Sequence, residues 1–226
     1  MESVHNISIY PPPEGGWKTL RPPGHHPYAF DFVQLDDGRR PAHAGNRLAF
    51  NAGKIPSRNF SCWSRPDFAP LDGVVLRIGN GSTDHEYTNI GKAIGIWYGA
   101  TFRLRPRQEH GGLDIRADAR NYVMIQAREG CMAFPAHFGN RSMALAEGAH
   151  VRRSEAVGTV GNSGNSKMPH RHINLFDQME NPVKAKVLPF VSGKYETPDI
   201  NEHRVVNESA TPGTGAVVRL DAQQHH

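Results

Sequence analysis

The sequence predicts a mainly β protein built on antiparallel sheets, with long loop insertions and little helix. Three observations carry this. Pro (17) and Gly (23) are both frequent in 226 residues, which favours turns and short strands over long helices. Short apolar or alternating runs recur between those turns, as in 28–34, 121–126 and 170–176. No segment shows a helical apolar period sustained beyond about two turns. The length suits one large domain, or one domain with extensions, with a real core.

Each element can be read in order. Ile7-Ser-Ile-Tyr10 is a short apolar run, followed by Pro11-Pro-Pro13 and Gly15-Gly16. It predicts an edge strand and then a proline-stiffened arm, so residues 1–21 form an N-terminal strand and arm. Residues 28–34 predict a strand with Asp31 on one face, and residues 36–66 a turn-rich excursion from the core. Phe68 to Arg77 reads as a turn leading into a strand. Residues 78–118 are polar and irregular apart from an apolar patch at 94–102, which predicts an insertion. Strands follow at 121–126, near 132–137, at 157–160 and at 170–176. Residues 191–226 form a polar C-terminal extension with one late strand candidate at 216–220.

Composition narrows the function classes. Apolar content of 38% and charged content of 21% are those of an ordinary soluble globular chain. The formal charge of +4 and pI of about 9.2 fit a mildly basic surface. Anionic polymers such as cell wall suit it as partners. The charge is too small and too dispersed for nucleic acid, and no basic helix or aromatic-basic motif is present. A small positive charge is also often no more than a solubility feature. Cys62 and Cys131 stand in unrelated contexts. No Cys-x-x-Cys pair exists, which excludes a thiolate zinc knuckle; one disulfide or two buried thiols remain open. No stretch approaches the roughly 20 apolar residues of a membrane helix. The first residues carry no basic or apolar signal region. Oligomeric state is not legible.

Chemistry concentrates on histidine. Thirteen are present, but arrangement matters more than number. His170-Arg171-His172 lies in a strand-like run, and side chains at i and i+2 share one strand face. Both imidazoles can therefore point at one site. Zinc held by neutral imidazole and carboxylate suits catalysis when one position stays open for water. The pair follows Gly161-Asn-Ser-Gly-Asn-Ser166, a loop able to turn tightly and bring backbone close to a ligand. Gly24-His25-His26-Pro27-Tyr28-Ala29-Phe30-Asp31 places a His pair and a carboxylate around a short turn. Ala136-His137-Phe138 ends an apolar segment with another His. Each element alone is weak: a surface His pair, a packed His or an ordinary strand explains it as well.

Five blocks occur together, in order. They are Asn121-Tyr-Val-Met-Ile125, Pro135-Ala-His-Phe138, Gly148-x-x-Val151, Val157-Gly-Thr-Val-Gly-Asn-Ser-Gly-Asn-Ser166 and Pro169-His-Arg-His-Ile173. Upstream stands Phe68-Ala-Pro-Leu-Asp-Gly-Val-Val75. Together they resemble the core of the M23 (lysostaphin/LytM-type) zinc metallopeptidases over roughly residues 22–190. The resemblance implies an M23-type peptidase domain at 22–190, with insertions at about 36–66 and 78–118 forming groove walls. It implies one Zn2+ per chain, held by His172, Asp31 and one of His25 or His26. The family's usual spacing is His-x-x-x-Asp, but position 27 is Pro, so the turn is longer and position alone does not choose between His25 and His26. His137 and His170 would be the non-ligand pair that orients water and stabilises the oxyanion. The implied reaction is endopeptidase cleavage of peptide bonds, with peptidoglycan cross-links as the substrate class. That class points to a periplasmic or secreted place, while the lack of a visible signal leaves a cytoplasmic one open.

Two positions depart from the pattern. Arg171 replaces the usual Leu, and Ser154 stands where a turn Gly is common. No His-Glu-x-x-His helix supplies a Glu base, so imidazole must fill that role. Two rivals remain. A catalytically inactive M23-fold binding module would be expected to have lost ligands, and here every ligand type is present. A cupin would need a Glu and a Gly soon after His172, where the chain has Asp177.

Overall fold

A computed structural model describes residues 7–10, 15–21, 28–36, 40–52, 54–88, 108–109, 112–113, 120–178, 185–198 and 203–220. In chain order the strands are β1 (Ile7–Ile9), β2 (Gly15–Leu20), β3 (Phe30–Gln34), β4 (Pro66–Phe68), β5 (Gly73–Gly79), β6 (Gln108–Glu109), β7 (Gly112–Leu113) and β8 (Tyr122–Gln126). They continue with β9 (Met132–Ala136), β10 (His150–Val151), β11 (Ala156–Thr159), β12 (Arg171–Phe176), β13 (Val187–Leu188), β14 (Phe190–Pro198), β15 (Arg204–Ala210) and β16 (Val217–Leu220). Among the described residues the single α-helix is α1 (Arg47–Asn51), capped by Asn46, whose side chain accepts from the Ala49 N–H, and a 3-10 turn follows at Ser57–Asn59. The mainly β expectation therefore holds.

Twelve of the strands form one sheet in the order β1-β14-β16-β2-β3-β12-β9-β8-β5-β10, with β13 beside β12 and β15 beside β14. The β1–β14 pair is parallel, and the other described pairs are antiparallel. Alternation gives the central strands two different faces. Phe30, Phe32, Ile173, Leu175, Val123, Ile125 and Val75 turn to the main core, each 0–1% exposed. The other face carries a smaller apolar cluster of Tyr122, Met124, Phe134 and Ala136, with Phe176 packed against it. Burying side chains of this size contributes about 1.5–3 kcal/mol each.

The sequence reading missed several strands. Gly15–Leu20, expected as a stiff arm, is β2, because Trp17 and Thr19 alternate into the core at 0% exposure. The polar extension at 191–226 carries the late strand expected at 216–220, which is β16, and also β14 and β15, which were not expected; β14 and β16 belong to the same sheet as β2 and β3. Phe190, Val191, Tyr195 and Val218 anchor it among polar neighbours that face outward. Ser154 sits at φ 66°, the left-handed conformation its turn position favours for Gly. Cys62 and Cys131 are separate buried thiols. Burial pushes the Cys62 thiol up to about 12, so it is no nucleophile. No helix among the described residues is long and apolar enough to cross a membrane.

Candidate functional site

Strand register builds the site. β12 runs between β3 and β9, and His172 pairs with Asp31 on one side and Ala136 on the other. Opposed residues on antiparallel strands share a face. Asp31 and His172 are thus neighbours, and His137 enters where the chain leaves β9. His170, two residues before His172, joins them from the loop before β12.

The four side chains are 6–8% exposed. Asp31 Oδ1 lies 2.6 Å from His172 Nδ1 and 3.4 Å from His170 Nε2. The second contact is an ion pair without hydrogen-bond alignment, and the buried His170 Nε2 has no hydrogen-bond partner. The His137 ring centroid is 5.0 Å from that of His170 and 5.5 Å from that of His172. One ligand atom from each of His137, His170 and His172 falls within 4.8 Å of the other two.

Loop carbonyls set the ring tautomers. A carbonyl only accepts, so the nitrogen facing it carries the proton. His137 Nδ1–H donates to Ser163 O at 2.8 Å, and His170 Nδ1–H donates to Met168 O at 2.8 Å, with Ser166 Oγ 3.2 Å away. His137 is left with Nε2 as its free nitrogen, while His170 Nε2 faces the Asp31 carboxylate. His137 has φ 65°, a strained conformation for a residue with a Cβ, and such strain persists only where the surroundings enforce it. Here the His137 backbone carbonyl accepts from Gly161 N–H at 3.1 Å. A Cβ at Gly161 would collide with the backbone of Phe138 and Gly139, so this approach requires Gly.

Electrostatics separates the groups. Burial holds His137 well below the ordinary histidine value, and the nearby His170 and His172 lower it further, so it is neutral. Burial also opposes charge on His170, but the Asp31 carboxylate outweighs it and raises the net value. Burial acts to raise Asp31, yet the charge of the adjoining His170 and the charge and hydrogen bond of His172 take it well below the usual carboxylate range.

These donors suit zinc. They offer one ionised carboxylate and imidazole nitrogens in a buried, tightly spaced group, with one Nε2 left without an aligned partner. Two overlapping donor sets are on hand. One is Asp31 with His172, and the other is His137, His170 and His172. His25 and His26 lie outside the described residues.

Behind the site, Arg171 turns to the opposite face of β12 and is 1% exposed. Its Nε is 2.9 Å from Asp67 Oδ1, and its Nη2 donates to Phe68 O at 3.1 Å. The Leu-to-Arg departure is therefore absorbed by a buried ion pair on β4. Sequence reading missed Asp67, and it also missed the role of Ser163, Ser166 and Met168. The Gly/Asn/Ser loop holds His137 through the Ser163 carbonyl, and Met168 just beyond it holds His170.

No protein-family model matches the sequence, and no curated protein does. Solved structures give matches of low identity. The catalytic domain of lysostaphin from Staphylococcus simulans is 14% identical, over 81% of this chain and 85% of that one, with a TM-score of 0.38. The M23 metalloprotease pseudoalterin, described as from the deep sea, is 12% identical over 95% and 96%, with a TM-score of 0.44. The catalytic domain of the prophage-encoded M23 protein EnpA from Enterococcus faecalis is 15% identical over 74% and 90%, at 0.39. This chain is thus similar to M23 peptidase structures at low identity and with partial overlap, and its function is argued below from its own site residues.

Proposed function

We propose that this chain is a zinc-dependent endopeptidase. In this reading Asp31, His172 and one of His25 or His26 hold the metal, and His137 and His170 handle protons. The observation that carries it is the contrast between the two kinds of histidine. His172 Nδ1 and Asp31 Oδ1 converge at 2.6 Å, while His137 and His170 each have Nδ1 committed to a loop carbonyl.

A bound zinc would supply Lewis acidity to the scissile carbonyl and lower the pKa of water. The protein residues supply the rest. Neutral His137 accepts the proton of the attacking water at Nε2 as the carbon–oxygen bond forms. His170, whose proton Asp31 favours, hydrogen-bonds the oxyanion from Nε2 and transfers that single proton to the departing amine as the carbon–nitrogen bond breaks. The proton taken up by His137 then returns through solvent to restore His170.

The five-block motif pattern favours peptidoglycan cross-links as the substrate class, and the mildly basic surface suits a wall polymer. A periplasmic or secreted location follows from that class. The spacing of His137, His170 and His172 favours a second reading, in which all three hold the metal.

Zinc analysis with a peptidoglycan turbidity assay tests the proposal. One zinc per chain and clearing that chelation abolishes are expected. Wall binding without clearing would instead mark an inactive binding module.

A further inference from the structure

We propose that Asp84 and His85, in the segment that reads as an insertion, are positioning residues for His137. The proposal rests on the catalytic role given to His137 above.

The loop 161–166 sets the His137 ring and is tied to the His137 segment by Ser163 Oγ–H to Phe138 O at 3.0 Å and Gly161 N–H to His137 O at 3.1 Å. It is Gly161-Asn-Ser-Gly-Asn-Ser166, with Gly164 at φ 69°. Its glycines leave much backbone freedom to lose, and its buried side chains, Asn162, Ser163 and Ser166, are short. Asp84 and His85 add a second restraint from outside the loop. Asp84 Oδ1 accepts from Asn162 N–H at 2.6 Å, and Oδ2 accepts from Asn140 N–H at 2.8 Å. His85 donates from Nε2 to Gly164 O at 2.7 Å, and its backbone N–H donates to Asn162 O at 3.0 Å.

The two residues therefore grip Asn162 and Gly164, immediately before and after Ser163. The Ser163 carbonyl between them receives His137 Nδ1–H. Asp84 also ties Asn140, three residues beyond His137, to the same point. The grip is itself braced: Ser57 Oγ donates to His85 O, Asn162 Nδ2 donates to Ser57 Oγ, and Ser57 N–H donates to Glu86 O. Neither Asp84 nor His85 is among the four side chains of the site. They act on His137 through one carbonyl, whose direction fixes which ring nitrogen is free.

The test compares His85→Ala, His85→Gln, Asp84→Ala and Asp84→Asn in the full chain. The first readout is the His137 ring nitrogens by 15N NMR, which reports the tautomer whether or not the protein is a peptidase. In the wild type the proton sits on Nδ1. In both Ala variants a mixture of tautomers is expected. His85→Gln, which keeps a donor toward Gly164, is expected to restore the single form. The second readout is kinetic: kcat should fall about 10- to 100-fold in the Ala variants with KM changed less, at unchanged zinc content. Asp84→Asn, which keeps one acceptor, should fall between Asp84→Ala and wild type. An unaltered His137 tautomer in both Ala variants would overturn the positioning role, while the peptidase reading would survive. A wild type without turnover would overturn the peptidase reading, and a tautomer shift would still support the positioning.

Discussion

Asp31 and His172 face each other as a registered pair across β3 and β12, and their Oδ1 and Nδ1 atoms stand 2.6 Å apart. That pairing depends on period-two alternation on both strands. A slip of one residue would send Phe30 or Phe32 into the site and Asp31 into the core. The core face, with Phe30, Phe32, Ile173 and Leu175 fully buried, forbids the slip and so fixes the chemistry.

The Asp31 contribution to stability should follow pH in a defined way in metal-free protein. Its folded pKa is depressed, so its stabilisation is present above the unfolded value of 3.8 and is lost as pH falls toward the folded value. His170 is raised above 6.5, so its part is complete below 6.5 and fades as pH climbs through the folded value. The advantage of wild type over Asp31→Asn is expected to be greatest between about pH 4 and 6.5. Below pH 4 it should shrink by about 1.4 kcal/mol per pH unit while only the unfolded chain takes up the proton. Urea denaturation of chelated protein across pH measures this. An advantage that grows below pH 4 would refute it.

The buried Arg171–Asp67 pair should be costly to break from one side. Arg171→Ala leaves a carboxylate 2% exposed without its cation and is expected to lose about 3–5 kcal/mol. Removing both charges, as Asp67→Ala with Arg171→Leu, should cost less than Arg171→Ala alone. Equilibrium denaturation decides. A single variant within about 0.5 kcal/mol of wild type would show that the pair stabilises nothing.

Ser154 offers a gain. At φ 66° its Cβ is strained, and Ser154→Gly relieves about 1–2 kcal/mol of that while adding unfolded-state entropy. A net stabilisation of up to about 1 kcal/mol is expected, read as a rise in melting temperature. A fall of similar size would mean that the Ser side chain contributes a contact worth more than the strain.

Most of the central sheet was legible in the sequence, because its strands are strongly apolar on one face. The runs at 28–34, 121–126, 132–137 and 170–176 correspond to β3, β8, β9 and β12. What was lost lay where tertiary packing overrode weak local signals. β2 is nearly hidden between Gly15-Gly16 and Leu20, and only the buried Trp17 and Thr19 mark it. β15 is polar and mostly exposed, held by its pairing with β14 rather than by an apolar face. At the site, Asp31, His137, His170 and His172 were all singled out and come together. The hydrogen bonds of Asp84, His85 and Ser163 were not legible, since backbone carbonyls have no residue signature and contacts across some 80 positions leave no spacing pattern.

The division of labour among the histidines is the central claim, and zinc content measured beside turnover in His137→Ala tests it most directly. The account predicts that this variant keeps about one zinc per chain and loses about 10²- to 10⁴-fold in rate, whereas Asp31→Ala loses the metal itself. Loss of zinc from His137→Ala, with zinc retained in Asp31→Ala, would contradict the account and move the metal to His137, His170 and His172.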